Sequence, residues 1–320
     1  MNLVRRFADF LFLAALLVAL VGLFSGLSDH FWSLQTLNTV ANRIPSLALA
    51  AIGMTFVLMA GGIDLSVGSI SALAGAVFGW MVIDQGAPLP VAFAAALGAG
   101  LACGAFNGAL VNWLRMPSFI VTLGVLEGAR GLAYLATDSQ TKYLGERLGF
   151  LQGTLPGVGL STAFFLAVAL MLISHFAITR TVFGRHVVAV GTNEEAARLA
   201  GLSPSRVRAA VFVLSGVLAA LAGLCHVSRL GAADPNAGSG LELSAIAAAV
   251  IGGTSLMGGR GSMLSTFVGV LIIATLEAGL AHLGVSEPIK RVVTGAVIVG
   301  AVAAEALRTG WVTRRLNRAN

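Results

Sequence analysis

Stretches of roughly 20 apolar residues recur along this chain, parted by short segments that hold most of its charge. A helix of about 20 residues crosses the ~30 Å hydrocarbon core of a bilayer. Lipid offers no hydrogen-bonding partners, so every backbone N–H and C=O of a crossing segment must be paired within the protein, and a continuous apolar run meets that demand as a helix. Ten candidate spans follow, at residues 7–27, 40–61, 66–84, 88–114, 117–136, 161–179, 207–228, 242–257, 262–283 and 289–307. The chain, 1–320, therefore reads as one all-α integral membrane domain with about ten transmembrane helices. Composition agrees. Charged residues make up 11% of the chain and hydrophobic ones 57%, with a mean hydropathy of +0.90. Soluble domains carry about 25% charge, so this chain has too little to cover a water-facing surface.

The net charge of +6 and the pI of about 10.3 do not signal nucleic acid. The arginines lie in short segments between apolar runs, with no basic stretch interleaved with aromatics. They act instead as a topology signal, because cytoplasmic loops are enriched in Lys and Arg. With the N-terminus inside, the inner segments hold Arg5, Arg6, Arg115, Arg180, Arg185, Arg198, Arg206, Arg208, Arg260, Arg308, Arg314, Arg315 and Arg318. The outer side keeps Arg43, Lys142, Arg147, Arg229, Lys290 and Arg291. The bias places both termini in the cytoplasm. The run after Arg5 and Arg6 lacks a small-residue cleavage site and is expected to stay as a first helix. Cys103 and Cys225 sit inside apolar runs and read as packing residues, and the histidines are scattered, so no metal site is expected.

Two places weaken the count of ten. The second and third spans are separated only by Gly61-Gly62-Ile63-Asp64-Leu65, and the eighth is short and glycine-rich. A re-entrant or broken helix is expected near 61–66. The segment Gly62-Ile63-Asp64-Leu65-Ser66 is also echoed by Gly240-Leu241-Glu242-Leu243-Ser244, five spans later. An odd number of spans inverts topology, so the echo suggests two inverted five-helix halves, a transporter device in which substrate passes near the interface of the repeats.

The longest inner segment, 179–208, contains a short helix signal. Asn193 is a good N-cap, Glu194 and Glu195 complement the positive end of the helix dipole, Gly201 suits the position after the C-cap, and Pro204 stops the chain. Such a helix is only about two turns long and is marginal in water unless it docks on something. Spacing alone leaves two readings open: a helix lying on the chain's own cytoplasmic ends, or one that seats in a separate protein.

Several motifs together resemble one family. Gly61-Gly62-Ile63-Asp64-Leu65-Ser66-Val67-Gly68-Ser69, Asn107-Gly108, Pro117 through Gly124, Arg130-Gly131, Gly191 through Gly201, Glu242 through Ala248 and Gly252 through Gly259 are similar, in order, to the signature of the ribose-type sugar ABC permeases. The resemblance implies a bacterial inner-membrane permease that acts as a pair, most simply a homodimer. It implies a periplasmic sugar-binding protein that delivers a pentose, hexose or similar polyol, and a partner ATPase that binds ATP and magnesium. Gly191, Asn193, Glu194, Glu195, Ala196, Ala197, Arg198 and Gly201 would then form the element that meets the ATPase, while this chain itself holds no cofactor.

Intramembrane polar residues are costly and usually face a bundle interior or a cavity. Asp64 reads as a cap for the helix that follows it or, with Ser66, as part of the pathway. Asn107 lies in Gly100-x-x-x-Gly104-x-x-x-Gly108, a small-residue face that suits close packing and a cross-helix hydrogen bond. Glu127 and Arg130, three apart, are expected to pair on one helix face. Glu277 stands alone in the ninth span. By resemblance to ABC importers the fifth span is the leading pathway candidate, with Ser118, Phe119 and Thr122 on one side of it: an aromatic beside hydroxyls suits a sugar and also suits plain packing.

The chain has no phosphate-binding loop, its only lysines being Lys142 and Lys290 in other settings. An ABC role therefore requires a separate ATPase. The principal rival is a secondary transporter in which Asp64, Glu127 and Glu277 couple to an ion gradient. A third reading keeps the ABC mechanism and changes the cargo to nucleosides or branched amino acids. A membrane enzyme is disfavoured, since no paired carboxylates, Ser/His/Asp set or His cluster is present.

Overall fold

A computed structural model describes residues 3–28, 30–155, 157–300 and 303. The molecule is a helical bundle. Its helices are α1 (Leu3–Leu27), α2 (Leu34–Met59), α3 (Val67–Ile83), α4 (Leu89–Trp113), α5 (Ser118–Thr137), α6 (Gly149–Gln152), α7 (Thr162–Arg180), α8 (Val182–Thr192), α9 (Glu194–Leu199), α10 (Pro204–Leu230), α11 (Leu241–Ile251) and α12 (Met263–His282). A further helix, α13, covers 287–300. Two strands of two residues each, Lys142–Tyr143 and Ala232–Ala233, pair antiparallel and join the segment after α5 to the end of α10.

Seven of these helices are long and apolar enough to cross a membrane: α1, α2, α4, α5, α7, α10 and α12. Ten full crossings are not reached among the described residues. The third and eighth expected spans are shorter than their apolar runs. α3 has 17 residues, or about 26 Å, and α11 has 11, or about 16 Å. The first begins only after the break at 60–66. The second ends early because Gly252 and Gly253, with Gly253 at φ +80°, turn the chain. The end of the tenth expected span and the arginines at 308–318 lie outside the described residues.

α2 and α10 form the centre. Every residue of α2 from Leu47 to Met59 is buried, as a helix apolar on all sides must be. α2 starts on Ser33, whose hydroxyl accepts from the Thr36 N–H at 3.1 Å. Asn42 then ties it to the entry of α7, donating to the Gly159 carbonyl (3.0 Å) and accepting from the Ser161 N–H (2.8 Å).

Lipid tails are as apolar as leucine, so helices associate in a membrane through close packing rather than through expulsion of water. The small-residue face of α4 serves that purpose. A methyl group added at Gly100 or Gly104 would overlap the backbone of α10 at Gly216 or Phe212, and one at Gly216 would strike Gly100 in return. The two helices therefore touch main chain to main chain. At the far end of α3, Asp84 receives the Lys142 ammonium at 2.9 Å, and this contact raises the lysine above its ordinary range.

Candidate functional site

Three features have no role in packing alone: the short helix α9, the broken segment between α2 and α3, and the outward face of α5.

α9 is closed at both ends by its own sequence. The Asn193 side chain accepts from the Ala196 N–H at 2.9 Å. At the other end Gly201 adopts φ +83°, its N–H reaches the Arg198 carbonyl (3.0 Å), and the Leu202 N–H reaches the Ala197 carbonyl (3.0 Å). This pair of bonds is the Schellman closure, in which a glycine carries the left-handed residue. Pro204 then opens α10. Glu195 pairs with Arg198 along the helix, and Glu194 pairs with Arg208 on α10. Ala197 is buried and seats the helix on the chain, whereas Leu199 is 80% exposed. A large apolar side chain thus stands outward on a two-turn helix that is otherwise tied down. Gly191 lies elsewhere. It ends α8 against the Met59 carbonyl and the Gly259 N–H, where any side chain would collide. The Gly259 N–H also donates to the Met59 carbonyl at 2.9 Å. The glycine-rich blocks at 61–62, 191 and 258–259 therefore converge beside α9.

The break after α2 begins with Gly61 at φ +80°. Its freed backbone groups are met by side chains of α5. The Ser118 hydroxyl accepts from the Ile63 N–H (2.9 Å), and the Thr122 hydroxyl accepts from the Leu65 N–H (3.1 Å). Asp64 is fully buried. It accepts from the Ser66 N–H (3.0 Å), the Ser66 hydroxyl (2.5 Å) and, from α10, the Ser215 hydroxyl (2.8 Å). Asn107 of α4 donates to the Ser66 hydroxyl at 2.9 Å. Asp64 thus closes a turn onto Ser66, one residue before α3 begins at Val67, and ties that turn to α10, while Asn107 ties it to α4. Among the residues expected along a pathway, Asp64, Ser66, Asn107 and Thr122 are all buried in this network, and Ser118 caps it. Only Phe119 faces outward, at 46% exposure.

The helices that follow the two echoed segments start side by side. Gly68, at the start of α3, lies so close to the Gly238 carbonyl and the Glu242 carboxylate that a methyl group there would overlap both. The segment 231–240 is in turn held by α5. Arg130 donates to the carbonyls of Pro235 (2.5 Å) and Ala237 (2.7 Å), and the Tyr134 hydroxyl donates to Asn236 Oδ1 (2.5 Å). α5 therefore carries both breaks, one at Ser118 and Thr122, the other three to four turns further along.

Arg130 does not pair with Glu127. Its guanidinium is taken by the two loop carbonyls, and Glu127 is exposed without an ion pair among the described residues. Glu127 lies about 13–15 Å from either end of α5, at 1.5 Å per residue. A carboxylate at that depth against lipid costs about 3 kcal/mol by insertion scales. Beside it an apolar groove of about 540 Å³ runs between α4 and α5, lined among others by Cys103, Phe106, Ile120, Gly124 and Gly128. Glu277 sits near the end of α12, with Glu287, Arg43 and Lys290 in electrostatic reach.

Residues 36–302 match the family described as the branched-chain amino acid transport system / permease component. The ribose import permease protein RbsC of Escherichia coli K12 is 39% identical over 295 residues, covering 91% of each chain. The chain belongs to the ribose-type ABC permease family. Similar relatives of the permease include the D-allose transport system permease protein AlsC of E. coli K12, 37% identical over 298 residues, or 92% of this chain and 90% of that one. The autoinducer 2 import system permease protein LsrC of Photorhabdus luminescens is 37% identical over 265 residues, or 82% and 80%. No solved structure matches the permease. Its relatives are named as permease components, so it is a transport subunit and not an enzyme. Its apolar helices make it a multi-pass membrane protein.

The sequence did not point to Ser215, Arg208 or the carbonyls at 235 and 237 as partners of the site residues. Each contact joins two different elements, from 14 to 151 positions apart, and helical spacing reports only neighbours on one helix.

Proposed function

We propose that this permease forms the membrane passage of a bacterial importer for a neutral sugar, ribose or a related pentose or hexose. The observation that carries the reading is the likeness, over about nine-tenths of the chain, to permeases named for ribose and D-allose. In this reading both termini and the segment 179–208 are cytoplasmic, and the ten helical segments of the sequence form one domain in the inner membrane. Two copies pair as a homodimer. The groove between α4 and α5 suits such pairing, because Gly124 and Gly128 have nothing within 4 Å of where a side chain would begin.

A periplasmic binding protein delivers the sugar, and a separate ATPase, which holds ATP and magnesium, supplies the work. α9 is the contact with that ATPase. A helix capped at both ends, salt-bridged along its flank and bearing an exposed Leu199 offers a defined knob to a groove in another protein. The permease needs no cofactor of its own.

The test is uptake of labelled ribose by proteoliposomes. Uptake that requires both the ATPase with ATP and the binding protein supports the reading. Accumulation driven by a proton or sodium gradient, with neither subunit present, overturns it.

A further inference from the structure

We infer that the turn 255–260 carries a second contact for the ATPase, with Met257 entering that partner alongside Leu199. The inference rests on the transport reading above and adds to it a surface on a loop remote in sequence from α9.

The turn is built to hold one side chain outward. α11 stops where Gly252 and Gly253 redirect the chain. Thr254 and Ser255 are then buried. The Ser255 N–H donates to the Arg260 carbonyl (3.0 Å), and the Ser255 hydroxyl accepts from the Met257 N–H (3.2 Å). Gly258 and Gly259, at φ +85° and +73°, take the left-handed conformation that returns the chain towards α12. These closing groups are main chain or serine, so the folding of the turn does not call for methionine at its tip. Met257 nevertheless stands there 89% exposed, more than any other large apolar side chain among the described residues.

The turn is also seated on the ground from which α9 rises. A methyl group at Gly258 would overlap the Gly191 carbonyl, and one at Gly259 would overlap Thr192, the residue before the Asn193 cap. The turn and α9 are therefore parts of one patch, at the end of the bundle where α2 finishes and α10 and α12 begin. Chain lengths from that contact put the Cα atoms of Met257 and Leu199 at most about 26 Å apart. A standard interface takes about 800 Å² from each partner, a disc about 32 Å across. One protein seated on α9 is therefore wide enough to reach Met257.

The occupant is a protein and not the bilayer. Leu199 shares α9 with the exposed pair of Glu195 and Arg198, and Glu194 pairs with Arg208 on its flank. Carboxylates and guanidinium groups are costly in hydrocarbon, so this level of the molecule lies in water. An apolar side chain held out there gains by entering a partner's pocket. Methionine suits that purpose, because its unbranched, polarisable chain adapts to an irregular surface. In the transport reading the ATPase is the protein already seated on α9.

The experiment purifies the permease on a tagged ATPase in detergent and measures the permease retained. Met257→Asp is expected to lower retention about tenfold, as loss of one apolar anchor does, and Met257→Leu to keep most of it. Met257→Asp combined with Leu199→Asp should lower it further than either alone. The thermal transition of the isolated permease should not move with Met257→Asp, since the side chain is exposed. In parallel, a benzophenone amino acid is placed at position 257 and irradiated in inside-out membrane vesicles that contain the whole importer. An adduct with the ATPase is expected. Wild-type retention by Met257→Asp beside a loss by Leu199→Asp overturns the second contact and leaves the α9 reading standing. An adduct with lipid alone overturns it too. A wild-type permease that retains no ATPase overturns both.

Discussion

At the scale of single residues, Asp64 governs the core. Three donors converge on its carboxylate, two from Ser66 in the connecting segment and one from Ser215 on α10, and both residues are buried. Asp64→Ala would strand the hydroxyls of Ser66 and Ser215 in an apolar interior. It is expected to cost about 3 kcal/mol, because removing the shared acceptor leaves buried donors of two serines unsatisfied. Ser215→Ala removes only one neutral donor and should cost about 1 kcal/mol. Thermal unfolding in detergent, followed by the loss of a monodisperse gel-filtration peak, checks the order of the two. The aspartate stood out in the sequence as a charge beside a break, and a cap was one of the readings open there. The cap closes onto Ser66 instead of onto the helix itself, and its second partner, Ser215, lies 151 residues away. The Glu127–Arg130 pair was the reverse case. The spacing allowed it, but two carbonyls from a distant loop hold the guanidinium more closely.

At the scale of elements, α9 was almost wholly legible because its signals are local. Asn193, the two glutamates, Gly201 and Pro204 lie within twelve positions, 193–204, and each acts on its immediate neighbours. Asn193→Ala should fray the first turn at a cost of about 1 kcal/mol, while Asn193→Asp should keep the cap. Hydrogen exchange at the Ala196 amide distinguishes them. Leu199→Asp tests the proposed docking without disturbing the chain's own packing, since that side chain is 80% exposed. It is expected to lower co-purifying ATPase about tenfold, the effect of losing one apolar anchor at an interface. Substitution of the buried Ala197 would confuse that test, because it would unseat the helix first. The short helices α3 and α11 were less legible. Apolar composition marks what lies in the membrane, and it does not mark where a helix starts within it. Those starting points depend on Ser118, Thr122, Arg130 and Tyr134, all on another helix.

At the scale of the whole molecule, the bundle is held by the approach of small residues. Gly216→Leu should drive α10 away from α4 at Gly100 and Gly104, and rearrangement rather than local relaxation is the expected result. Its signature would be failure to recover folded protein after solubilisation, with Gly216→Ala intermediate. The same style of contact recurs where Gly191, Met59 and Gly259 meet beside α9. Side chains can swing between rotamers and so blunt a displacement; peptide backbone pressed on peptide backbone has no such slack. A shove delivered to that corner by any neighbour would therefore arrive at the end of α2 nearly undiminished, much as a rigid linkage passes on a stroke that a spring would swallow.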